Sequence, residues 1–278
     1  MLTKNININH QGYTRSAYMK VADNAKFAIV LLHPTAGTGR ISASTGGWTA
    51  REDISILAPD GLSFDPSSER TTVNTTCWSS EQESTINRAI DDVSFLNEVI
   101  DEFLTYIPKD IPLVLVGHSN GCAMGFKLLV EGKHKDLFRA AVLYAAPWAS
   151  KKEKLNIPVL YMTGDSDPIR PLVGGVKVET PWFTLISTPV MDTVEYCLKA
   201  LDCNKNADDV VEQDHFTVMT WRGRQLFEFV ILKNQGHHWP AGKDISEKAK
   251  EVVGPVNCNI NATTMAVEFL DKAGVFQL

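Results

Sequence analysis

The stretch from Ile111 to Val130, IPLVLVGHSNGCAMGFKLLV, decides how the rest of the chain is read. Its first part (Ile111, Leu113, Val114, Leu115, Val116) is an apolar run of strand length. The residues after Gly121 (Cys122, Ala123, Met124, Phe126, Leu128, Leu129, Val130) are almost all apolar over the length of a buried helix. Between them GHSNG fits G-x-S-x-G, the pattern of a serine carried on a tight strand-to-helix turn. Such a turn needs residues without a Cβ on both sides of the serine. It lifts the Ser119 hydroxyl clear of the sheet and aims the free N–H groups of a helix N-terminus at the same place. The five-residue pattern arises by chance in a chain this long with odds of about one in ten. The buried strand before it and the buried helix after it are what give it weight.

Working outward, FAIVLL (Phe27 to Leu32), Ile54 to Ala58, AAVLYAAP (Ala140 to Pro147) and IPVLYMTG (Ile157 to Gly164) read as further strands, most of them covered on both faces. Ser16 to Val21 alternates enough for an antiparallel strand, and Phe216 to Trp221 with Leu226 to Leu232 reads as a hairpin. From Asn87 to Ile107 apolar residues fall at Ile90, Val93, Leu96, Ile100, Phe103, Leu104 and Ile107, which predicts an amphipathic helix. Val190 to Leu201 and Thr263 to Ala273, the latter stopped by Gly274, are two more. Leu62 to Ser80 and Asp165 to Thr188 read as long loops. Strands alternating with helices imply an α/β fold with a mostly parallel central sheet and helices on both faces. No linker, repeat or low-complexity segment divides residues 1–278, which predicts one domain. In such sheets a site forms off the carboxyl ends of the strands.

The totals narrow the function classes. With 44% hydrophobic and 22% charged residues the composition is that of an ordinary globular protein. A net charge of −6 and a pI near 5.7, with no basic block beyond pairs such as Lys151-Lys152, argue against nucleic acid or an anionic membrane as partner. The longest apolar runs are far too short to span a bilayer. The N-terminal MLTKNININHQGYTRS lacks the apolar core of a secretory signal, so a cytoplasmic chain is expected, or a secreted one if a leader has been removed. Cys77, Cys122, Cys197, Cys203 and Cys258 are odd in number and lack C-x-x-C spacing, so neither a disulfide framework nor a zinc site is expected. No cofactor is implied, and the oligomeric state is unknown at this level.

A serine hydroxyl attacks at neutral pH only when a base takes its proton, and the base needs a carboxylate to fix its tautomer. In this kind of fold the chain order is Ser, acid, His. Asp167, in TGDSDP directly after the strand ending near Thr163, is the favoured acid, with Asp165 as its rival in a turn-forming role. The base comes from QGHHWP after the last strand, where His237 and His238 are adjacent and only one can face Ser119. His33 and His118 are expected to buttress the site's loops, and His10, His134 and His215 to lie outside it. The oxyanion of an acyl-transfer intermediate needs two N–H donors. Asn120, next after the serine, supplies one; in HPTAGTG after Leu32, Pro34 has no N–H, which leaves Thr35 as the second. Gly37-Thr38-Gly39 is expected to be a flexible wall with no helix beginning there.

GHSNG with the downstream Met124, DDVSFL (Asp91 to Leu96), TGDSDP and above all GHHWPAG together resemble the esterases that group polyhydroxybutyrate depolymerases with feruloyl and acetylxylan esterases of the α/β-hydrolase fold. The likeness runs from about Gln11 to Phe269. In that family the first histidine of G-H-x-W-P is the catalytic one, so the resemblance implies His237, with Ser119 and Asp167 completing a triad. The chain departs from the family in having His33-Pro34 where His-Gly is usual. The implied activity is that of a serine carboxylic-ester hydrolase on a small-molecule or oligomeric ester. The alternatives are a peptidase or thioesterase on the same residues, or a non-catalytic binding protein on the same scaffold. Trp78, Trp148, Trp182 with Phe183, and Trp239 stand on or beside the expected cleft loops. They are candidates to stack on substrate or, alternatively, to pack beneath those loops.

Overall fold

Apolar runs that continue without alternation make strands covered on both faces, and the computed structural model is built around six of them. It describes residues 1–63, 76–80, 90–147, 154–180 and 184–276. In chain order its elements begin with β1 (Leu2–His10), β2 (Tyr13–Val21), β3 (Phe27–Leu32), α1 (Gly39–Thr45), β4 (Ile54–Pro59), β5 (Leu62–Ser63) and β6 (Thr76–Cys77). Then come α2 (Asp92–Leu104), β7 (Leu113–His118), α3 (Asn120–Glu131), β8 (Phe138–Tyr144), β9 (Val159–Gly164), β10 (Lys177–Glu179), β11 (Thr184–Ile186) and α4 (Val190–Ala200). β12 (Asp209–Glu212), β13 (Phe216–Arg222), β14 (Leu226–Leu232), α5 (Glu247–Val253) and α6 (Ala262–Lys272) complete the chain.

Ten strands form one sheet in the order β1-β2-β4-β3-β7-β8-β9-β14-β13-β12. The six from β4 to β14 run parallel, and antiparallel strands extend the sheet at both edges. Side chains alternate between faces with a period of two. Ala28, Val30 and Leu32 of β3 and Leu113 and Leu115 of β7 therefore face α2, α3 and α4, while Phe27, Ile29, Leu31, Val114 and Val116 face Trp48, α1 and α6. Two apolar layers result, one on each side of the sheet, which is why these strands read as unbroken apolar runs. No helix among the described residues is long and apolar enough to cross a membrane.

The chain leaves β3 for β4 on one side and returns through α2 to β7 on the other side of β3. The order therefore reverses between β3 and β7, and a crevice opens beyond their carboxyl ends. The segments after β3 and β7 are HPTAGTG and the Ser119 turn.

Several elements differ from expectation. The helix expected over Asn87–Ile107 spans Asp92–Leu104, capped by the Asp91 carboxylate on the Ser94 N–H; residues 87–89 lie outside the described ones. Of the expected 62–80 loop, 64–75 also lie outside them. The expected 165–188 loop contains the antiparallel pair β10–β11. The sequence reading missed β1 and β12, both polar edge strands whose register comes from one neighbour, and α5, which buries no residue fully.

Candidate active site

Ser119 leaves β7 with φ 54° and ψ −124°, a left-handed conformation that costs a residue with a Cβ about 1–3 kcal/mol. The surroundings hold it there. The Ser119 N–H donates to the Tyr144 carbonyl on β8 at 2.8 Å, and its carbonyl accepts from the Ala123 N–H in the first turn of α3 at 3.1 Å. The two motif glycines are required by close backbone approach. A Cβ on Gly117 would lie 2.6 Å from the Gly121 carbonyl oxygen, and one on Gly121 would lie 2.2 Å from that of Leu32 and 2.6 Å from that of His33. The turn is thus in backbone contact with the loop after β3.

The histidine loop reaches Ser119 from the carboxyl end of β14. His237 Nε2 lies 2.7 Å from Ser119 Oγ, and His237 Nδ1 lies 2.7 Å from Asp167 Oδ2, with all three residues buried. Asp167 is fixed in turn, because its Oδ1 accepts the N–H groups of Ile169 and Arg170, each at 2.8 Å. With Oδ1 so occupied, Oδ2 is free to accept from His237 Nδ1–H, which leaves a lone pair on Nε2 facing the serine hydroxyl. The path runs unbroken from hydroxyl to imidazole to carboxylate. The rival Asp165 is exposed, and its Oδ1 accepts from Ser166 Oγ and the Asn234 N–H as a brace of its own turn.

The loop carrying His237 is held on every side. Its N–H donates to the Val253 carbonyl at 2.6 Å and that of Gly236 to the Pro255 carbonyl at 2.7 Å, so α5 and the turn after it clamp the loop. Tyr144 donates its hydroxyl to the Gly236 carbonyl at 2.6 Å, and Gln235 Nε2 donates to the His238 carbonyl at 2.8 Å. His118 Nε2 lies 2.7 Å from the His237 carbonyl oxygen, where only a protonated nitrogen is useful. Burial, reinforced by the neighbouring His237 and His238, drives the His118 pKa well below the ordinary histidine value. His118 is therefore a neutral donor bracing the loop. His33 buttresses in the same way. Its Nδ1–H donates to the Pro34 carbonyl at 2.7 Å, its Nε2 accepts the Gly61 N–H at 2.8 Å, and burial lowers its pKa. His238 lines an adjoining cavity, and it is His237 that bonds Ser119. Burial and then His237 lower its pKa, and its Nδ1 has no partner among the described residues.

The loop after β3 presents Thr35 at the crevice. Ala36, at φ 62°, donates its N–H to the Thr76 carbonyl at 2.8 Å, and the Gly37 N–H donates to the Pro34 carbonyl at 2.9 Å. The N–H groups of Thr35 and Asn120 have no acceptor among the described residues. Gly37-Thr38-Gly39 is not the flexible wall expected. Thr38 caps α1 through its hydroxyl on the Ile41 N–H, and a Cβ on Gly39 would lie 2.1 Å from the Ala58 carbonyl oxygen. The seven-residue α1 buries only Gly39 and Ala43, too little for a periodic apolar pattern to mark it in the sequence.

The aromatic candidates divide. Trp78 is a correction: it is fully buried, its Nε1–H donates to the His33 carbonyl at 3.0 Å, and it has no surface to offer a ligand. Trp239 is largely buried against Trp48, Tyr144 and His118, donates to Thr263 Oγ1 at 3.2 Å, and keeps one edge on the cavity. Trp148 and Trp182, with Phe183, lie outside the described residues. The cavity, about 330 Å³, is lined by the β3 loop, including Thr35, and by His118 and His238, the chain neighbours of Ser119 and His237; no triad side chain lines it, and the rest of its lining, such as Leu31, Ile41, Val116 and Trp239, is mostly apolar. A separate cleft of about 480 Å³ lies at the opposite, amino-terminal end of the sheet, among Lys135, Arg139, Lys154 and Gln225. None of Ser119, Asp167 and His237 lines it. Among the described residues no group of three or more His, Cys, Asp or Glu side chains could hold a metal ion, and the five cysteines are free thiols.

This sheet order, with a serine turn after the strand next to the reversal point, is that of the α/β-hydrolase fold. Solved structures with the same architecture include a carboxylesterase of Bacillus cereus, 15% identical over 93% of this chain and 94% of that one, with a TM-score of 0.51. Others are a protein of unknown function from Agrobacterium tumefaciens (16% identity, 92% of this chain and 95% of that one, TM-score 0.50) and TT1662 from Thermus thermophilus (15%, 86% and 92%, TM-score 0.51). At this identity the likeness establishes the fold. No protein-family model and no curated protein matches the sequence.

Proposed function

We propose that the protein is a serine carboxylic-ester hydrolase working through an acyl-enzyme. The observation that carries this reading is the hydrogen-bonded path from Ser119 Oγ through His237 to Asp167, set on a strained turn beside two backbone N–H groups that have no acceptor among the described residues. Ser119 Oγ attacks the ester carbonyl carbon while His237 Nε2 takes its proton. Asp167 steadies the imidazolium so formed. The carbonyl oxygen becomes an oxyanion and accepts from the N–H groups of Thr35 and Asn120. The imidazolium returns the proton to the departing alkoxide, the C–O bond breaks, and the alcohol leaves. Water then enters, His237 takes one of its protons, and the same steps in reverse release the carboxylic acid and Ser119.

The apolar cavity that shares Thr35 with the proposed oxyanion site supports an ester with an apolar moiety, held by the β3 loop on one side and Trp239 on the other. The GHHWPAG box supports the narrower assignment to a feruloyl esterase-like or polyhydroxybutyrate depolymerase-like activity. A panel of methyl ferulate, acetylated xylan, hydroxybutyrate oligomers, short p-nitrophenyl esters and a peptide tests both levels. Hydrolysis of the p-nitrophenyl esters without peptide cleavage is expected, together with a single fluorophosphonate adduct at Ser119 that Ser119→Ala abolishes. An unaltered protein that takes up no adduct overturns the proposal. His237→Ala is expected to lower kcat at least about 10³-fold while His238→Ala retains most of it.

A further inference from the structure

The two N–H groups assigned to the oxyanion come from different parts of the chain, Thr35 after β3 and Asn120 after β7, and both are tied to one short segment, residues 76–80. On the β3 side, the Thr76 carbonyl accepts the Ala36 N–H at 2.8 Å, the Thr76 hydroxyl donates to the Gly37 carbonyl, and the Trp78 indole N–H donates to the His33 carbonyl at 3.0 Å. The Trp78 and His33 rings lie 5.0 Å apart. On the β7 side the Asn120 carboxamide makes three bonds. Its Oδ1 accepts the Trp78 N–H at 2.6 Å, and its Nδ2 donates to the Trp78 carbonyl and to Ser80 Oγ, each at 3.1 Å.

The segment is itself anchored in the core. The Ser79 N–H donates to Asp92 Oδ2 at 2.7 Å, and Asp92 Oδ1 accepts from Arg15 at 2.7 Å in a fully buried ion pair. Arg15 also reaches the Asp60 carbonyl at 3.2 Å and lies 3.8 Å over the Phe95 ring. Buried groups joined by such bonds resist displacement, because moving one strands its partners without water.

We infer that residues 76–80 are a positioning strap that sets the spacing between the Thr35 and Asn120 N–H groups, fastened by the Asn120 carboxamide on one side and the Trp78 indole N–H on the other. The inference rests on the esterase reading above. Neither side-chain group touches substrate; each acts through the backbone it holds. An oxyanion gains full stabilisation only when both donors meet it at once, so a loosened strap weakens the transition state and leaves ground-state binding alone.

The test uses Trp78→Phe, which keeps a ring against His33 but loses the indole N–H, and Asn120→Ala, which leaves the backbone donor in place. Each variant is expected to lower kcat for p-nitrophenyl acetate about tenfold or more, with KM within about twofold of the parent. Affinity for an arylboronic acid, whose adduct on Ser119 is tetrahedral and anionic, should fall in step with kcat/KM. Because both changes act on one strap, the double variant should lose less than the product of the single losses. If Asn120→Ala does not fold, Trp78→Phe alone decides. An unchanged kcat, a loss carried by KM, or an undiminished boronate affinity overturns the inference while the parent's fluorophosphonate adduct upholds the esterase reading. A parent protein that takes no adduct overturns both.

Discussion

Replacing Asp167 by asparagine changes one atom, and the structure dictates how the new amide must lie. Asp167 Oδ1 accepts two backbone N–H groups, from Ile169 and Arg170 at 2.8 Å, so in Asp167→Asn the amide oxygen stays at that position. An NH2 there would face two donors. The NH2 therefore takes the place of Oδ2, 2.7 Å from His237 Nδ1, and can only donate to it. His237 must then carry its proton on Nε2, which turns that nitrogen into a donor toward Ser119 Oγ. A base that already holds its proton cannot accept another. Volume and backbone bonds are unchanged, so stability should stay close to the parent's. The cost falls on kcat, expected to drop about 10⁴-fold, equivalent to about 5.5 kcal/mol of transition-state stabilisation. Initial rates on p-nitrophenyl acetate, with thermal unfolding as the control for folding, measure it. Asp165→Asn, which alters only the exposed brace of the neighbouring turn, should keep kcat within a few-fold. A loss below about tenfold in Asp167→Asn would refute the tautomer argument.

Ser119→Gly relieves the positive φ that Ser119→Ala retains, so the glycine variant should be the more stable of the two by about 1 kcal/mol, with both inactive; equal urea midpoints would refute the strain. Gly121→Ala places a methyl group 2.2 Å from the Leu32 carbonyl oxygen and should cost about 3 kcal/mol or prevent folding, whereas Gly125→Ala, whose nearest neighbour is the flexible Leu143 side chain, should cost far less. Acid should destabilise the protein through its buried neutral histidines. His33, His118 and His238 have folded pKa values pushed below the ordinary one, so below about pH 6.5 the unfolded chain binds protons the folded one refuses. Their contribution is intact above that pH and is lost as pH falls toward the depressed values, at up to about 1.4 kcal/mol per pH unit for each. Urea midpoints that stay constant from pH 7.5 to 5 would contradict this.

Much of the site was legible in the sequence because its determinants are local. A glycine that must approach backbone, a serine between two such glycines, and strands apolar on both faces leave marks within a few residues of themselves. Gly117, Ser119, Gly121, FAIVLL and the run before GHSNG are read in that way. Long-range bonds leave no such mark. Residue type alone leaves His237 and His238 of GHHWPAG open, and only the family resemblance implied His237; what turns it inward is the Val253 carbonyl holding its N–H and His118 holding its carbonyl. Trp78 could be placed near the crevice from its position, but its burial is fixed by His33 and Asn120, 45 and 42 residues away. The edge strand β12 and the short α1 lacked periodic apolar faces, and β1 alternates only through Ile6 and Ile8 among asparagines, so pairing or capping defined them instead.

By itself, then, the sequence determined the sheet, its central strands and the turn that carries the serine, because burial on both faces and the exclusion of Cβ atoms act along contiguous residues. The residues favoured Asp167 over Asp165 and the family resemblance implied His237 over His238; the tertiary structure supplied the contacts that hold both, and it alone placed Trp78 in the core and not at the cleft. Each of those positions depends on which carbonyl or N–H lies opposite, and that partner is brought there by a strand crossing many residues away.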